Sequence, residues 1–162
     1  PGGAITTASN RIALGDDAVT HIYAQVSSIT GASDARDKTD FTPLDLGLDF
    51  VKALAPVTYK WDKRSKYGDK TAEGYDLTAQ TPDGTHKEDW LDVGFTAQAV
   101  EALENAAGYS TDTNTNLIYD INPDGKSMGL QYTKFIPILV KAIQEQNALI
   151  EALTARVTTL EG

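Results

Sequence analysis

The carboxyl-terminal segment from Tyr132 to Leu160 carries a seven-residue repeat of apolar side chains, and this repeat constrains the fold more than any other feature. Its first position is held by β-branched residues, namely Ile136, Ile143, Ile150 and Val157. Its second position is held by Leu139, Gln146, Leu153 and Leu160. At about 1.5 Å per residue the segment predicts a helix some 40 Å long. Its narrow apolar stripe favours packing against parallel partner helices.

The number of partners does not follow from the repeat itself. β-Branched residues at the first position with leucine at the second favour a dimer in simple rules, so the pattern alone does not give a trimer. Gln146 interrupts the stripe with a polar layer, which would fix the register of the partners at a cost in stability. The alternative is a core helix that buries its stripe within its own chain.

Bulk composition excludes several classes of protein. With 162 residues, 41% of them hydrophobic, the chain can form one domain with a modest core. Its net charge of -9 and pI near 4.5 disfavour nucleic acid and anionic membranes as partners. It has no cysteine, no apolar run long enough to cross a membrane and no signal-peptide pattern. A chain that starts at Pro1 rather than methionine is expected to be a piece of a longer one.

Residues 1–32 are typical of the end of an extended β structure. Strands are predicted at 11–15 and 19–26, on either side of a turn at Gly15-Asp16-Asp17, because both stretches alternate and are rich in β-branched residues. The segment is too small and too polar to bury a core alone. We therefore expect the body of the β structure to lie upstream.

The middle of the chain predicts a small mixed domain of helices and strands. Pro43 and Asp45 are predicted to open a short helix, Pro56 stops it, and residues 57–61 alternate like a half-buried strand. Residues 62–92 form a long polar excursion, with room for a hairpin turning at Pro82-Asp83-Gly84. The fold class predicted from this pattern is α+β.

A second set of elements follows the excursion. A strand is predicted at 93–95, and Thr96 is expected to cap a helix running from 97 to about 107. Two further strands, 116–119 and 127–130, flank the turn Asn122-Pro123-Asp124-Gly125.

The stretch whose residues could carry out catalysis is Ser33-Asp34-Ala35-Arg36-Asp37-Lys38. A serine hydroxyl is a poor nucleophile until a base removes its proton, and a lysine can be that base where burial or neighbouring cations lower its pKa. Ser33 and Lys38 are close enough in sequence for a turn to bring them within hydrogen-bond reach. The same spacing is also typical of a solvated charged linker.

Several ordered motifs resemble the peptidase S74 family, the intramolecular chaperone domains at the carboxyl termini of endosialidases, neck appendages and other phage fibres. That family opens with Ser-Asp-x-Arg-x-Lys, matched by Ser33, Asp34, Arg36 and Lys38. A Pro-Val-x-Tyr-x-Trp strand and a Gly-Phe-x-Ala-Gln-x-Val segment follow, matched by Pro56, Val57, Tyr59 and Trp61 and by Gly94, Phe95, Ala97, Gln98 and Val100. The closing helix motif is matched by Tyr132 and residues 136–144. Ala55 and Ala99 depart from the family, where many relatives carry a basic and an acidic residue.

The resemblance implies a homotrimeric chaperone that holds three preceding fibre or tailspike segments in register while they wind into a β structure. It then implies self-cleavage, with Ser33 as the nucleophile, Lys38 as the general base and the Ser33–Asp34 bond as the bond cut. Its partners would be two further copies and the upstream segment of its own chain, with no cofactor. It would act in the host cytoplasm during virion assembly, leaving the mature fibre on the virion tail and the chaperone domain released.

The route of attack stays open at this point. Ser33 attacking its own carbonyl would need a four-membered ring. Attack on the Ala32 carbonyl is easier but cuts one bond earlier. Attack between chains of a trimer is the third route.

Other residues have weaker claims to a role. Arg36 either stabilises an oxyanion or pairs with Asp34 or Asp37. His21, in the β-like segment, is a candidate sensor of completed folding or a helper of the catalytic dyad formed by Ser33 and Lys38. A lone histidine on a strand is, however, more often structural. His86 is expected to be solvated.

No metal or cofactor site is predicted. The stretch from Asp112 begins like a calcium loop, but Leu117 and Pro123 stand where glycine and glutamate are required. The predicted organisation is the end of a β fibre at 1–32, a chaperone and auto-processing domain at 33–131 and a trimerising helix at 132–162. One rival is a permanent trimerisation or receptor-binding module without protease activity; the other is an ordinary hydrolase, for which no substrate cleft can be argued.

Overall fold

The computed structural model describes most of the chain, namely Tyr23, Gln25, Val26 and residues 28–162. The chain divides into two units, residues 1–41 and residues 42–162. In the first unit, one turn of 3-10 helix spans Ala35–Asp37. The strand predicted at 11–15 and most of the one predicted at 19–26 lie outside the described residues.

The second unit contains three α-helices and four short strands among its described residues. In chain order they are α1 (Leu48–Ala53), β1 (Val57–Tyr59), β2 (Asp92–Gly94), α2 (Ala97–Ala106), β3 (Tyr119–Ile121), β4 (Met128–Leu130) and α3 (Phe135–Glu161). Single 3-10 turns lie at Arg64–Lys66, Leu77–Ala79, Thr111–Thr113 and Tyr132–Lys134. This mixture of helices and antiparallel strands confirms the predicted α+β class.

The strands form two separate antiparallel pairs. Strand β1 pairs with β2, with Val57 opposite Gly94, and β3 pairs with β4, with Tyr119 opposite Leu130. The second pair is closed by the predicted turn, in which the Gly125 N–H donates to the Asn122 carbonyl at 2.7 Å. Gly125 has φ +69°, a left-handed conformation that glycine adopts at little cost.

The polar excursion is the connection between β1 and β2, and it is folded by side-chain hydrogen bonds. The Tyr67 hydroxyl donates to Asp62 at 2.8 Å and accepts from the backbone N–H groups of Asp83, at 3.2 Å, and His86, at 3.3 Å. The excursion also contains three Asp-x-Thr turns, which begin at Asp69, Asp76 and Asp83. In each turn the aspartate carboxylate accepts hydrogen bonds from the backbone N–H and the hydroxyl of the threonine two residues later. The hairpin suggested at 82–84 does not form, because Asp83 closes one of these turns instead.

The core gathers apolar residues from all three helices, from the segment before α1 and from the approach to β3: Leu46, Phe50, Val100, Ile118, Phe135 and Ile138. Helix α2 ends before Gly108, which has φ +91° and lets the chain turn away as predicted. Thr96 precedes α2 but its side chain makes no capping hydrogen bond, so the predicted capping role is wrong.

Helix α3 uses two different faces. Phe135, Ile138 and Ala142 are buried against the core of their own chain. Every residue of α3 after Glu145 is exposed. The repeat residues lie on another face and are exposed, from 43% at Leu139 to 85% at Leu160. Within the described part of the chain, no helix has the length and apolar character needed to cross a membrane.

Candidate functional site: the Ser33–Lys38 turn

The turn between Ser33 and Lys38 is closed by Asp34. Its backbone is extended, with φ -65° and ψ 131°, and its side chain accepts a hydrogen bond from the Arg36 N–H at 2.9 Å. This is the capping geometry that aspartate favours at the start of a helical turn. The Asp37 N–H donates to the Asp34 carbonyl at 3.2 Å and the Lys38 N–H to the Ala35 carbonyl at 3.3 Å. The chain therefore folds back between Ser33 and Lys38.

This turn brings the Ser33 and Lys38 side chains into contact. Lys38 Nζ donates a hydrogen bond to Ser33 Oγ at 2.6 Å. A nucleophile and a base within about 2.6–3.2 Å of each other have the geometry needed for direct proton transfer. Both side chains are exposed in the single chain.

Arg36 pairs with Asp34, one of the partners considered for it. Its Nε donates to the two carboxylate oxygens at 3.0 and 3.2 Å, and its Nη2 donates to Oδ2 at 2.6 Å. These bonds lower the pKa of the Asp34 carboxyl, the side-chain bonds more than the backbone one, and raise the pKa of Arg36. The carboxylate beside Ser33 is thus held ionised by a guanidinium from its own turn.

The remaining candidates are less closely tied to the dyad. Asp37 closes the same 3-10 turn through its backbone. His21 lies outside the described residues. His86 is exposed, as expected, and its ring meets Tyr67 edge-on with the ring centroids 4.9 Å apart. Within the described residues no group of histidine, cysteine, aspartate or glutamate is arranged to hold a metal ion.

Sequence reasoning missed a buried carboxylate that organises the second unit. Glu104 is fully buried on α2, and its two oxygens accept the backbone N–H groups of Leu117, at 2.9 Å, and Ile118, at 2.7 Å. The signal was present in the sequence, since Glu104 follows Val100 by four residues and so shares the apolar face of the helix. An acidic residue at such a position requires hydrogen-bond partners from elsewhere in the fold.

Comparison with known proteins agrees with the motifs. Residues 33–109 match the family model of Peptidase_S74, described as the chaperone of endosialidase. The match begins at Ser33 and includes the Ser33–Lys38 turn, both strands of the first pair and α2. No curated protein matches the chain. The family description supports an intramolecular chaperone role for the matched part of the chain, and residues 33–109 are thereby similar to the peptidase S74 family.

Proposed function

We propose that this chain trimerises, assists the folding of the fibre or tailspike segment that precedes Ser33, and then releases itself by cutting the Ser33–Asp34 bond. The observation that carries the proposal is the 2.6 Å contact between Lys38 Nζ and Ser33 Oγ at the first residue of the family match. We propose that the domain works in the host cytoplasm during virion assembly. The upstream fibre then stays on the virion tail without it.

The proposed chemistry is acyl transfer to serine. With its amine neutral, Lys38 takes the Ser33 hydroxyl proton while Oγ attacks the Ser33 carbonyl of a neighbouring chain, since attack on its own carbonyl would close a four-membered ring. The C–N bond breaks, and Lys38 returns the proton to the departing amine of Asp34. Water then hydrolyses the ester, which restores the serine and leaves a new carboxylate at Ser33.

The exposure of the dyad suggests when the cut occurs. A lysine becomes an effective base at neutral pH when it is taken out of water or placed beside other cations. The side chains of Ser33 and Lys38 are exposed in the single chain. We propose that the assembled trimer and the wound upstream segment together cover the dyad, so that cutting follows folding.

The exposed repeat face of α3 supports assembly. Its apolar residues lie off the face that packs on the chain's own core, as the 60% exposure of Ile136 and the 2% exposure of Ile138 illustrate. Burying one such side chain contributes about 1.5–3 kcal/mol. The stripe as a whole can therefore offset an association cost on the order of 4–15 kcal/mol. Because the client segment is part of the same chain, its effective concentration at the chaperone is high.

Intact-mass measurement of purified trimer tests the cleavage. The chain would be produced with its natural upstream segment as wild type, Ser33→Ala, Lys38→Ala and Lys38→Arg, with Lys52→Ala as a matched surface control. We expect only the wild type and the Lys52 variant to split, giving a carboxyl-terminal product that begins at Asp34. Splitting of all five would assign the cut to an outside protease. A wild-type trimer that stays uncut would contradict the proposed cleavage and support a trimerisation module without protease activity.

Mixed trimers test the route between chains. A tagged Ser33→Ala chain would be co-assembled with untagged wild type. We expect the tagged chain to be cut in mixed trimers and to stay whole in trimers of its own. If it stays whole in both, the attack occurs within one chain, and a product beginning at Ser33 would locate it at the Ala32 carbonyl.

A further inference from the structure

The turn that holds the dyad also holds a carboxylate that could interfere with it. Asp34 is the residue next to Ser33, and a carboxylate close to an ammonium group stabilises its protonated form. A base must give up that proton before it can accept one from serine. An unrestrained Asp34 would therefore compete with the Ser33 hydroxyl for Lys38.

In the structure this competition does not occur. Both Asp34 oxygens are occupied by the Arg36 side chain, at 2.6–3.2 Å, and Oδ1 also accepts the Arg36 N–H at 2.9 Å. Lys38 Nζ instead meets the uncharged Ser33 Oγ. The fork of a guanidinium suits this task, because it can bind both oxygens of one carboxylate in a fixed geometry.

We propose that Arg36 is a positioning residue that turns the Asp34 carboxylate away from Lys38 and offsets its charge, so that the lysine is free to act on Ser33. The inference rests on the proposed cleavage. The lowered pKa of Asp34 beside Arg36 agrees with a carboxylate whose charge is held by that partner. In the described part of the first unit, the other charged residues are Asp34, Arg36, Asp37 and Asp40.

The two alternatives for Arg36 make different predictions. A guanidinium that stabilised an oxyanion would be needed whether or not Asp34 carries a charge. A guanidinium that masks Asp34 would be needed only while that charge is present. Comparing Arg36→Ala in the wild-type background and in the D34N background therefore separates them, and it does so whatever D34N alone does to the rate.

The measurement is the rate of self-cleavage of the folded trimer, with its upstream segment, as a function of pH. In the wild-type background we expect Arg36→Ala to slow cleavage about tenfold at neutral pH. We also expect it to shift the curve of rate against pH to higher pH by about one unit. In the D34N background we expect the same substitution to change the rate less than twofold and to leave the profile in place. Arg36→Lys, which keeps the charge but loses the fork, should fall between wild type and Arg36→Ala. An equal loss in both backgrounds would overturn the proposal.

A second readout does not depend on cleavage. The titration of the Lys38 side chain can be followed by NMR in Ser33→Ala protein with labelled lysine, with the signal assigned by its loss in Lys38→Met. We expect Arg36→Ala to move this titration to higher pH, and the added D34N change to move it back. If the titration responds in this way while wild type never cuts, the masking role stands and the proposed cleavage fails. If wild type cuts itself but the Lys38 titration does not change in Arg36→Ala, the masking role is wrong and the proposed cleavage stands.

Discussion

The Glu145 side chain on α3 accepts a hydrogen bond from the Leu48 backbone N–H, the first of α1, at 2.7 Å. The two residues are 97 positions apart in sequence. Gly47, which precedes α1, has no side chain to cap the helix, so the N–H at its start, which has no partner within the helix, needs an acceptor from elsewhere. Glu145 supplies that acceptor and also pairs with Lys141 at 3.3 Å. The contact ties the last segment of α3 that touches its own chain to the beginning of the folded domain.

The first prediction concerns acid stability. The pKa of Glu145 is lowered in the folded chain, first by the bond from Leu48 and then by Lys141. A carboxylate of this kind stabilises the fold above its ordinary value of 4.5, and the stabilisation is lost as pH falls through the lowered pKa. We therefore expect Glu145→Gln to lose less free energy of unfolding than wild type between about pH 6 and pH 3.

Urea unfolding at a fixed chain concentration measures this difference. The matched control is Glu161→Gln at the end of the same helix, which should follow the wild-type pH dependence. If the free energy of unfolding of Glu145→Gln falls with pH in parallel with that of wild type, the role assigned to Glu145 is contradicted.

The second prediction concerns Gly47. A Cβ added at this position would overlap the Glu145 carboxylate, so Gly47→Ala should displace that carboxylate and destabilise the domain. In the Glu145→Ala background the overlap is gone. There the same substitution should cost clearly less free energy of unfolding than it does in the wild-type background.

A double-mutant cycle by urea unfolding tests the coupling. Gly129→Ala serves as the control, since an added Cβ there meets open space. It should change stability by about 0.5 kcal/mol or less. Additive effects of the Gly47 and Glu145 substitutions would show that the two residues do not compete for the same space.

The third prediction concerns the buried carboxylate on α2. Glu104→Gln keeps the shape of the side chain but replaces one acceptor oxygen by an amide NH₂ that faces a backbone N–H. Leaving a buried donor unsatisfied costs about 1–3 kcal/mol. We expect a loss of that size in the free energy of unfolding, and a larger one for Glu104→Ala.

The comparison for this experiment is Glu101→Gln on the same helix, which is only half-buried. It should change stability by about 0.5 kcal/mol or less. A Glu104→Gln protein as stable as wild type would mean that the Leu117 and Ile118 amides find other acceptors.

These contacts explain where prediction from sequence succeeded and where it could not. Helix α3 was predicted from its repeat to within a few residues, because periodicity is a local property. The strand predicted at 116–119 instead begins at Tyr119. Its apolar pattern was identified, but Glu104, thirteen and fourteen residues earlier, takes the Leu117 and Ile118 amides. The hydrogen-bonded ladder between β3 and β4 therefore starts at Tyr119.

The same distinction holds at the candidate site. The spacing of Ser33 and Lys38 permitted a contact, but it could not say that Asp34 would cap the turn and leave Lys38 to the serine. The bond between Glu145 and Leu48 has no local signal, because it depends on how α3 packs beside α1. The polar excursion was predicted as irregular, yet its Asp-x-Thr turns were readable in advance, since aspartate commonly binds the backbone two residues on.

The final prediction tests the exposed stripe on α3. Ile150 lies in the repeat, is 54% exposed and is well past the part of the helix that packs on its own chain. Ile150→Asp would place one charge per chain in a buried layer of the proposed trimer, where unpaired charge is strongly unfavourable. Loss of the isoleucine alone forfeits about 1.5–3 kcal/mol per chain. We expect sedimentation to show monomers at concentrations where wild type is a trimer, with the α+β domain still folded by circular dichroism. Gln144→Asp adds the same charge outside the stripe and should leave the trimer intact. A trimer that survives Ile150→Asp would exclude the repeat face as the interface.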